Sequence, residues 1–326
     1  MASIFPGSSA RENVAVPLPD LGPTDLYGPM AAGEAALVVV RAPIARFLVL
    51  EPAARKGVDP EAIHDMRVSG RRIRTAIRVF RGVIPEWAEN LRTELRWMGS
   101  VLGDVRDLDV QRSRLWESGE DIEAADRAVL HALDDAFVAR REPAHAALIE
   151  SLDSTRFERL RTELVGFARE PGLSSAEAQR PIAELAPTLV TPRYRSMRRA
   201  GSSLGADSSP AKLHAFRIRC KRVRYVIEFV APLYGEPAES LTRRLIRLQD
   251  LLGDLHDAEL GELRLRELAK NPDTELPPNA PFVLGRLSER SARRARKLRR
   301  RFPKAFIATR GRRWKDMKRA MAEPAG

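Results

Sequence analysis

An all-α fold is predicted, built from two packed halves related by a pseudo-two-fold. Three observations carry this. From about residue 31 onward, long segments with a helical apolar period alternate with short breaks. Runs of alternating β-branched residues are almost absent. Shifted by 150 residues, the sequence partly matches itself without gaps: "HDMRVSGRRIRTAI" (64–77) overlies "HAFRIRCKRVRYVI" (214–227), "LGDVRD" (102–107) overlies "LGDLHD" (252–257), and Pro60 overlies Pro210. Several matches in one register imply a duplicated unit of several helices, and two copies are too few for a solenoid.

Taken in order, residues 1–30 are rich in Pro, Gly and Ser, have no period and read as a loose tail. The greasy stretch "AALVVVRAPIARFLVL" (35–50) is interrupted by Arg41 and Arg46, too short and too charged to span a bilayer. Breaks follow at 56–60, 117–121, 170–175, 205–210, 234–237 and 271–281. Asp59 before Pro60 and Ser209 before Pro210 are helix starts, each a capping side chain followed by proline in the first turn. The helical body is placed at 31–322, with a first half of about 31–170 and a second of about 178–322.

The helix after Pro60 carries the strongest signal. His64, Arg67, Arg71, Arg74 and Arg78 fall within about 80° of one another at 100° per residue. Met66, Ile73, Ile77 and Phe80 form the opposite, core-facing stripe. The second copy repeats this with His214, Arg217, Lys221 and Arg224 against Phe216, Val223, Ile227 and Val230. An ordinary solvent face mixes signs to gain ion pairs at i,i+4, where like charges repel by a few tenths of a kcal/mol. Arginine three or four residues from arginine, in both copies, points to an anionic ligand, and the planar guanidinium fork suits phosphate oxygens. Each histidine reads as a donor to the same anion, since no second His or Cys follows at metal-ligand spacing.

Composition agrees. The 326 residues carry a net charge of +12, which favours nucleic acid, an anionic surface or another polyanion as partner. Aromatic residues are only 6%, too few for the stacking platforms of single-strand binders. The single cysteine, Cys220, excludes an internal disulfide framework and reads as a small core residue. No signal peptide is visible, so a cytoplasmic location is expected.

Further basic rows lie at 286–301 (Arg286, Arg290, Arg294, Lys297, Arg301), at 311–320 and around Arg195 and Arg199. Arg140 overlies Arg290 under the same shift, which makes that pair binding candidates. Asp104/Asp107 and Asp254/Asp257 place two carboxylates at i,i+3 on one helix face. They are read as structural partners of the arginines rather than metal ligands. Gly103 and Gly253 are expected to let helices approach closely, despite a cost near ~1 kcal/mol in a helix interior.

A basic H-x-x-R-x-x-x-[KR]-x-x-R helix, twice, each followed by L-G-D-x-x-D, resembles the CHAD family, the conserved histidine α-helical domain. The resemblance covers roughly 31–322, and "LHAFRIRCKRVRYVIE" (213–228) matches best. It implies two four-helix bundles with pseudo-two-fold symmetry and a central cavity that binds inorganic polyphosphate. Carried over by position, the binding residues are His64, Arg67, Arg71, Arg74, His214, Arg217, Lys221 and Arg224. Arg78 extends the stripe, but its partner position holds Glu228. The E-x-E-x-K signature of the triphosphate-tunnel (CYTH) domain often fused to the family is not found.

The expected function is therefore non-catalytic polyphosphate binding, with no cofactor and no metal, at polyphosphate granules if anywhere particular in the cell. Two rival readings stay open. One is a nucleic-acid-binding basic protein, using the C-terminal rows. The other is a metal-dependent phosphohydrolase, for which only the two Asp pairs could supply carboxylates. The tail offers a segment for a protein partner.

Overall fold

The computed structural model describes residues 19–169, 172–270 and 276–323. Among these there are twelve α-helices and no strand, the one β-bridge being Ala31 to Pro181. The first half holds α1 (Ala32–Val49), α2 (Glu51–Lys56), α3 (Pro60–Val79), α4 (Ala88–Ser118), α5 (Arg127–Asp153) and α6 (Thr155–Arg169). After the short α7 (Ala176–Gln179) come α8 (Ile182–Ser202), α9 (Pro210–Val230), α10 (Gly235–Lys270), α11 (Ala280–Ile307) and α12 (Arg312–Ala320). Helices α1 and α8 start 150 residues apart, as do α3 and α9.

The apolar stripes explain the packing. Met66, Ile73, Ile77 and Phe80 of α3 are buried, and so are Phe216, Val223, Ile227 and Val230 of α9. Each motif helix packs between an earlier helix and the long helix after it: α3 on α1 and α4, α9 on α8 and α10. One core runs through both halves, and α3 also touches α9 directly. A smaller core joins Leu115, Val129, Leu130 and Leu133 to Val283, Leu284 and Leu287 at the far end of the long helices. Cys220 lies in the main core with its thiol pushed upward by burial, which suits a packing residue.

Several local expectations need correction. Asp59 caps α3 by accepting from the Glu61 N–H at 2.9 Å, but the Ser209 side chain makes no capping bond, and α9 starts on Pro210 alone. The break expected at 234–237 falls slightly earlier. Residues 231–234 form a tight turn, while Gly235 to Pro237 already make the first turn of α10, where proline's missing N–H costs nothing. The α5–α6 corner has no proline or glycine to announce it; Ser154 makes it, its hydroxyl accepting from the Phe157 N–H at 3.2 Å.

The last part of the expected tail is anchored rather than loose. Leu21 and Met30 are buried, and the Arg41 guanidinium donates to the Pro23 carbonyl at 2.8 Å and the Ala168 carbonyl at 3.1 Å. Arg41 is only 8% exposed, so the arginine that spoke against a membrane span is an internal strut for the segment before α1. Residues 1–18 of the expected tail lie outside the described residues. Among the described residues no helix is long and apolar enough to cross a membrane.

Candidate functional site

The two basic stripes meet. All eight motif positions, His64, Arg67, Arg71, Arg74, His214, Arg217, Lys221 and Arg224, are half-buried, neither in the core nor free in solvent. Burial and the charges of Arg217, Arg71, Arg224 and Arg67 push the Lys221 ammonium down to about 7. Two of those arginines come from α3 and two from α9, so Lys221 marks where the rows converge. Arg217 is held down by burial and by Arg71 and Arg114, against the pull of Asp257. Arg74 is lowered by burial and by Arg96, Arg92, Arg71 and Arg78.

Tyr225 pins the crossing of α3 and α9. Its hydroxyl accepts from Arg71 Nε at 3.1 Å, and the guanidinium groups of Arg72 and Arg224 lie over its ring at 5.8 and 4.7 Å. Glu228 closes the crossing by taking Arg72 at 3.1 Å and Arg224 at 3.3 Å.

The glycines of the two L-G-D motifs serve a different purpose from the one expected. A Cβ on Gly103 would sit 3.3 Å from Nε and Nη2 of Arg67, and one on Gly253 would sit 3.5 Å from Nη2 of Arg217. They make room for a guanidinium laid across the long helix, not for another helix. Arg67 also donates to the Gly99 carbonyl at 3.4 Å, which fixes its direction.

Three guanidinium donors and one imidazole nitrogen around the rows are buried without a protein partner: Arg217 Nε, Arg224 Nε, Arg106 Nε and His214 Nδ1. A buried unpaired donor costs about 1–3 kcal/mol. Arg106, like His256, is a site residue that the sequence reading did not assign. His214 and His256 stand 4.6 Å apart, ring to ring, and burial followed by His214 lowers His256. At the matching place in the first half, Arg106 stands beside His64, which burial and that guanidinium hold below the usual imidazole value. The signal was available: the fifth residue of L-G-D-x-[RH]-D is basic in both copies.

The remaining expected residues divide. Arg78 is exposed at the end of the α3 row, and Arg140 is exposed on α5. Arg290 donates to the Ser118 carbonyl at 2.7 Å and lines a neighbouring cavity of about 580 Å³ between α4, α5, α10 and α11. In that cavity Arg114, Arg264, Arg290 and Arg294 are matched by Glu117, Asp121, Asp254 and Asp257 over a leucine-rich floor. Asp257 pairs with Arg114, and Asp254 lies 3.6 Å from Arg294, while Asp104 and Asp107 are exposed. The second Asp pair thus lies beside arginines of α4 and α11, and Asp257 also pulls on Arg217 of the motif row.

The C-terminal row is largely engaged within the protein. Arg286 pairs with Asp126 at 3.1 Å, and Arg293 and Arg296 share Glu289, each at 2.9 Å. Arg299 holds Glu259 and the carbonyls of Ala206 and Ser208. Among the described residues one group could suit a cation: ligand atoms of Glu61, His64 and Asp65 lie within 4.8 Å of one another. Both carboxylates are already taken, Glu61 by Arg106 at 3.2 Å and Asp65 by Arg46 at 2.8 Å.

Comparison with known proteins agrees with this architecture. Two uncharacterised proteins of Mycobacterium tuberculosis (strains CDC 1551 / Oshkosh and ATCC 25618 / H37Rv) are each 27% identical over 222 residues, 64% of this chain. The match spans 40% of the length of those relatives. The crystal structure of the CHAD domain from the plant Ricinus communis superposes with a TM-score of 0.70 at 27% identity, covering 87% of this chain and 94% of that one. PptA from Streptomyces chartreusis shares the fold, with a TM-score of 0.68 at 23% identity over 84% of this chain and 99% of its own. The family model described as the CHAD domain matches residues 39–266, well over half of the molecule, and the chain belongs to that family.

Proposed function

We propose that this protein binds inorganic polyphosphate along the converged rows of α3 and α9 and does no chemistry on it. The observation that carries the reading is the crowding of Arg67, Arg71, Arg217 and Arg224 around a half-buried Lys221, with buried guanidinium donors left unpaired. Cations packed this way repel one another in a partly desolvated setting, and a chain of phosphates supplies both the missing charge and the missing acceptors. The resemblance in the motifs points to the same ligand. Duplex DNA is too wide to reach half-buried side chains between two crossing helices, and the outer C-terminal arginines that could meet it are mostly paired. Hydrolysis is not expected, because Asp254, Asp257, Glu61 and Asp65 are each engaged by an arginine, which leaves them poorly placed to hold a metal ion.

Replacing Arg71 and Lys221 together with Ala removes two donors from the crossing, each charge-assisted hydrogen bond being worth about 1.5–3 kcal/mol. Polyphosphate affinity, measured by competition at fixed ionic strength, is expected to fall at least about ten-fold. The exposed pair Arg300 and Arg301 changed to Ala is the control and should cost far less. The opposite ranking would put the ligand on the outer row and remove the crossing from consideration.

A further inference from the structure

The crossing of α3 and α9 is uneven in charge. On one side Arg72 of α3 meets Glu228 of α9 at 3.1 Å. Advance Arg72 by 150 residues and it becomes Arg222; take Glu228 back by 150 and it becomes Arg78. The equivalent side of the crossing therefore sets arginine against arginine. Arg222 is indeed the leading influence that lowers Arg78, ahead of burial. A third arginine joins them from α8: Arg193 is half-buried, lowered by burial and then by Arg78 and Arg222, and donates only to the Leu189 carbonyl of its own helix at 2.6 Å. Its counterpart 150 residues earlier is Pro43. The acid that draws Arg78 upward is Glu89, which already holds Arg81 and Arg92.

An ion pair on one side and three arginines on the other is not a requirement of the fold, since the first arrangement already closes the crossing. Helix α3 also carries Arg74, one turn before Arg78, so the three arginines continue the central row instead of starting a separate surface. From Arg67 to Arg78 the row runs about 16 Å at 1.5 Å per residue. We propose that Arg78, Arg193 and Arg222 form a second anion station, at which a polyphosphate chain leaving the central crossing places further phosphates on one side only. This rests on the polyphosphate reading and deepens it: the station makes affinity depend on chain length and gives the bound chain a preferred exit.

The test compares tripolyphosphate with long-chain polyphosphate on the wild type, on Arg222→Glu and on Arg193→Ala. Arg222→Glu rebuilds at Arg78 the ion pair that Arg72 and Glu228 make opposite, so the fold is preserved and the free protein's Tm should rise. Long-chain affinity should drop about ten-fold in Arg222→Glu, the scale of a single charge-assisted hydrogen bond, and also in Arg193→Ala, while tripolyphosphate affinity changes less than about two-fold. Equal losses for both ligands would mean that these arginines act on the central rows through their field, and the station would be rejected. Unchanged long-chain affinity would reject it too, with central binding intact. A wild type that binds neither ligand would instead overturn the polyphosphate reading, and the station with it.

Discussion

Lys221 concentrates the cost of the site in one side chain. Its ammonium is held near 7 against an ordinary 10.5 by burial and four arginines. Between those values the unfolded chain carries a proton that the folded chain lacks, so this group's contribution to stability rises with pH across that window and is at its most unfavourable below it. Lys221→Met should accordingly raise Tm at pH 6, and the gain should shrink as pH climbs toward about 10. The same variant should bind polyphosphate more weakly, because stability and binding draw on one charge in opposite directions. In the wild type a bound polyanion restores the charge, so binding near pH 8 should take up close to one proton. Titration calorimetry in Tris and in HEPES reads this directly, and equal apparent enthalpies in the two buffers would show that Lys221 is charged before the ligand arrives. The stripe around Lys221 was legible in the sequence because a single-sign helix face breaks the usual mixing of charges. Tyr225 and Arg193 were not, because nothing in their local sequence says which helix they will meet.

At the scale of one element, the long helix α4 carries its function in what it omits. Gly103 leaves the space in which the Arg67 guanidinium lies, and the Gly99 carbonyl accepts from that guanidinium's Nε. A larger side chain at 103 would push Arg67 off the helix while improving the helix itself, since glycine in a helix interior costs about 0.8–1.0 kcal/mol. Gly103→Ala is thus expected to keep or raise Tm and to bind polyphosphate up to about ten-fold more weakly, the effect of displacing one guanidinium from the anion. A melt and a competition assay on one preparation suffice; lower stability with normal affinity would mean that the glycine serves packing, as the sequence suggested. Helix boundaries were readable where proline or a dense polar run marks them, as at Pro60, Pro210 and 117–121. They were missed between α3 and α4 despite Pro85, and where a lone serine or glycine does the turning: Ser154 between α5 and α6, and Gly311 before α12, whose positive φ of 69° few other residues adopt. The 150-residue offset shows in the sequence itself, and two helix pairs start that far apart; the inequality between Glu228 and Arg78 gains meaning only where the helices cross.

For the whole molecule the question is how a chain of net charge +12 remains folded around its own repulsion. Part of the answer is internal pairing, since most of the α11 arginines already hold acids or carbonyls. At the crossing Glu228 holds Arg72 and Arg224, but pairing falls short around Lys221, and there a ligand would become part of the electrostatic design. Anything that binds the folded chain alone stabilises it by RT ln(1 + [L]/Kd), about 2.7 kcal/mol at a hundred-fold excess over Kd. For a protein of 326 residues that corresponds to a Tm increase of about 4 °C, at about 2.1 cal/mol/K of unfolding entropy per residue. Because the gain comes from displacing counterions, it must fade with salt. If the six row cations Arg67, Arg71, Arg74, Arg217, Lys221 and Arg224 each neutralise one phosphate, log K should fall with log[salt] at a slope of about −4, taking −0.7 per phosphate as for single-stranded nucleic acid. In the Arg71→Ala, Lys221→Ala double variant the slope should become shallower by about 1.4. A thermal-shift series at increasing NaCl, wild type beside double variant, measures both quantities together. Parallel slopes would mean that the two residues brace the crossing without touching the anion, whereas a shallower slope places the phosphates on them.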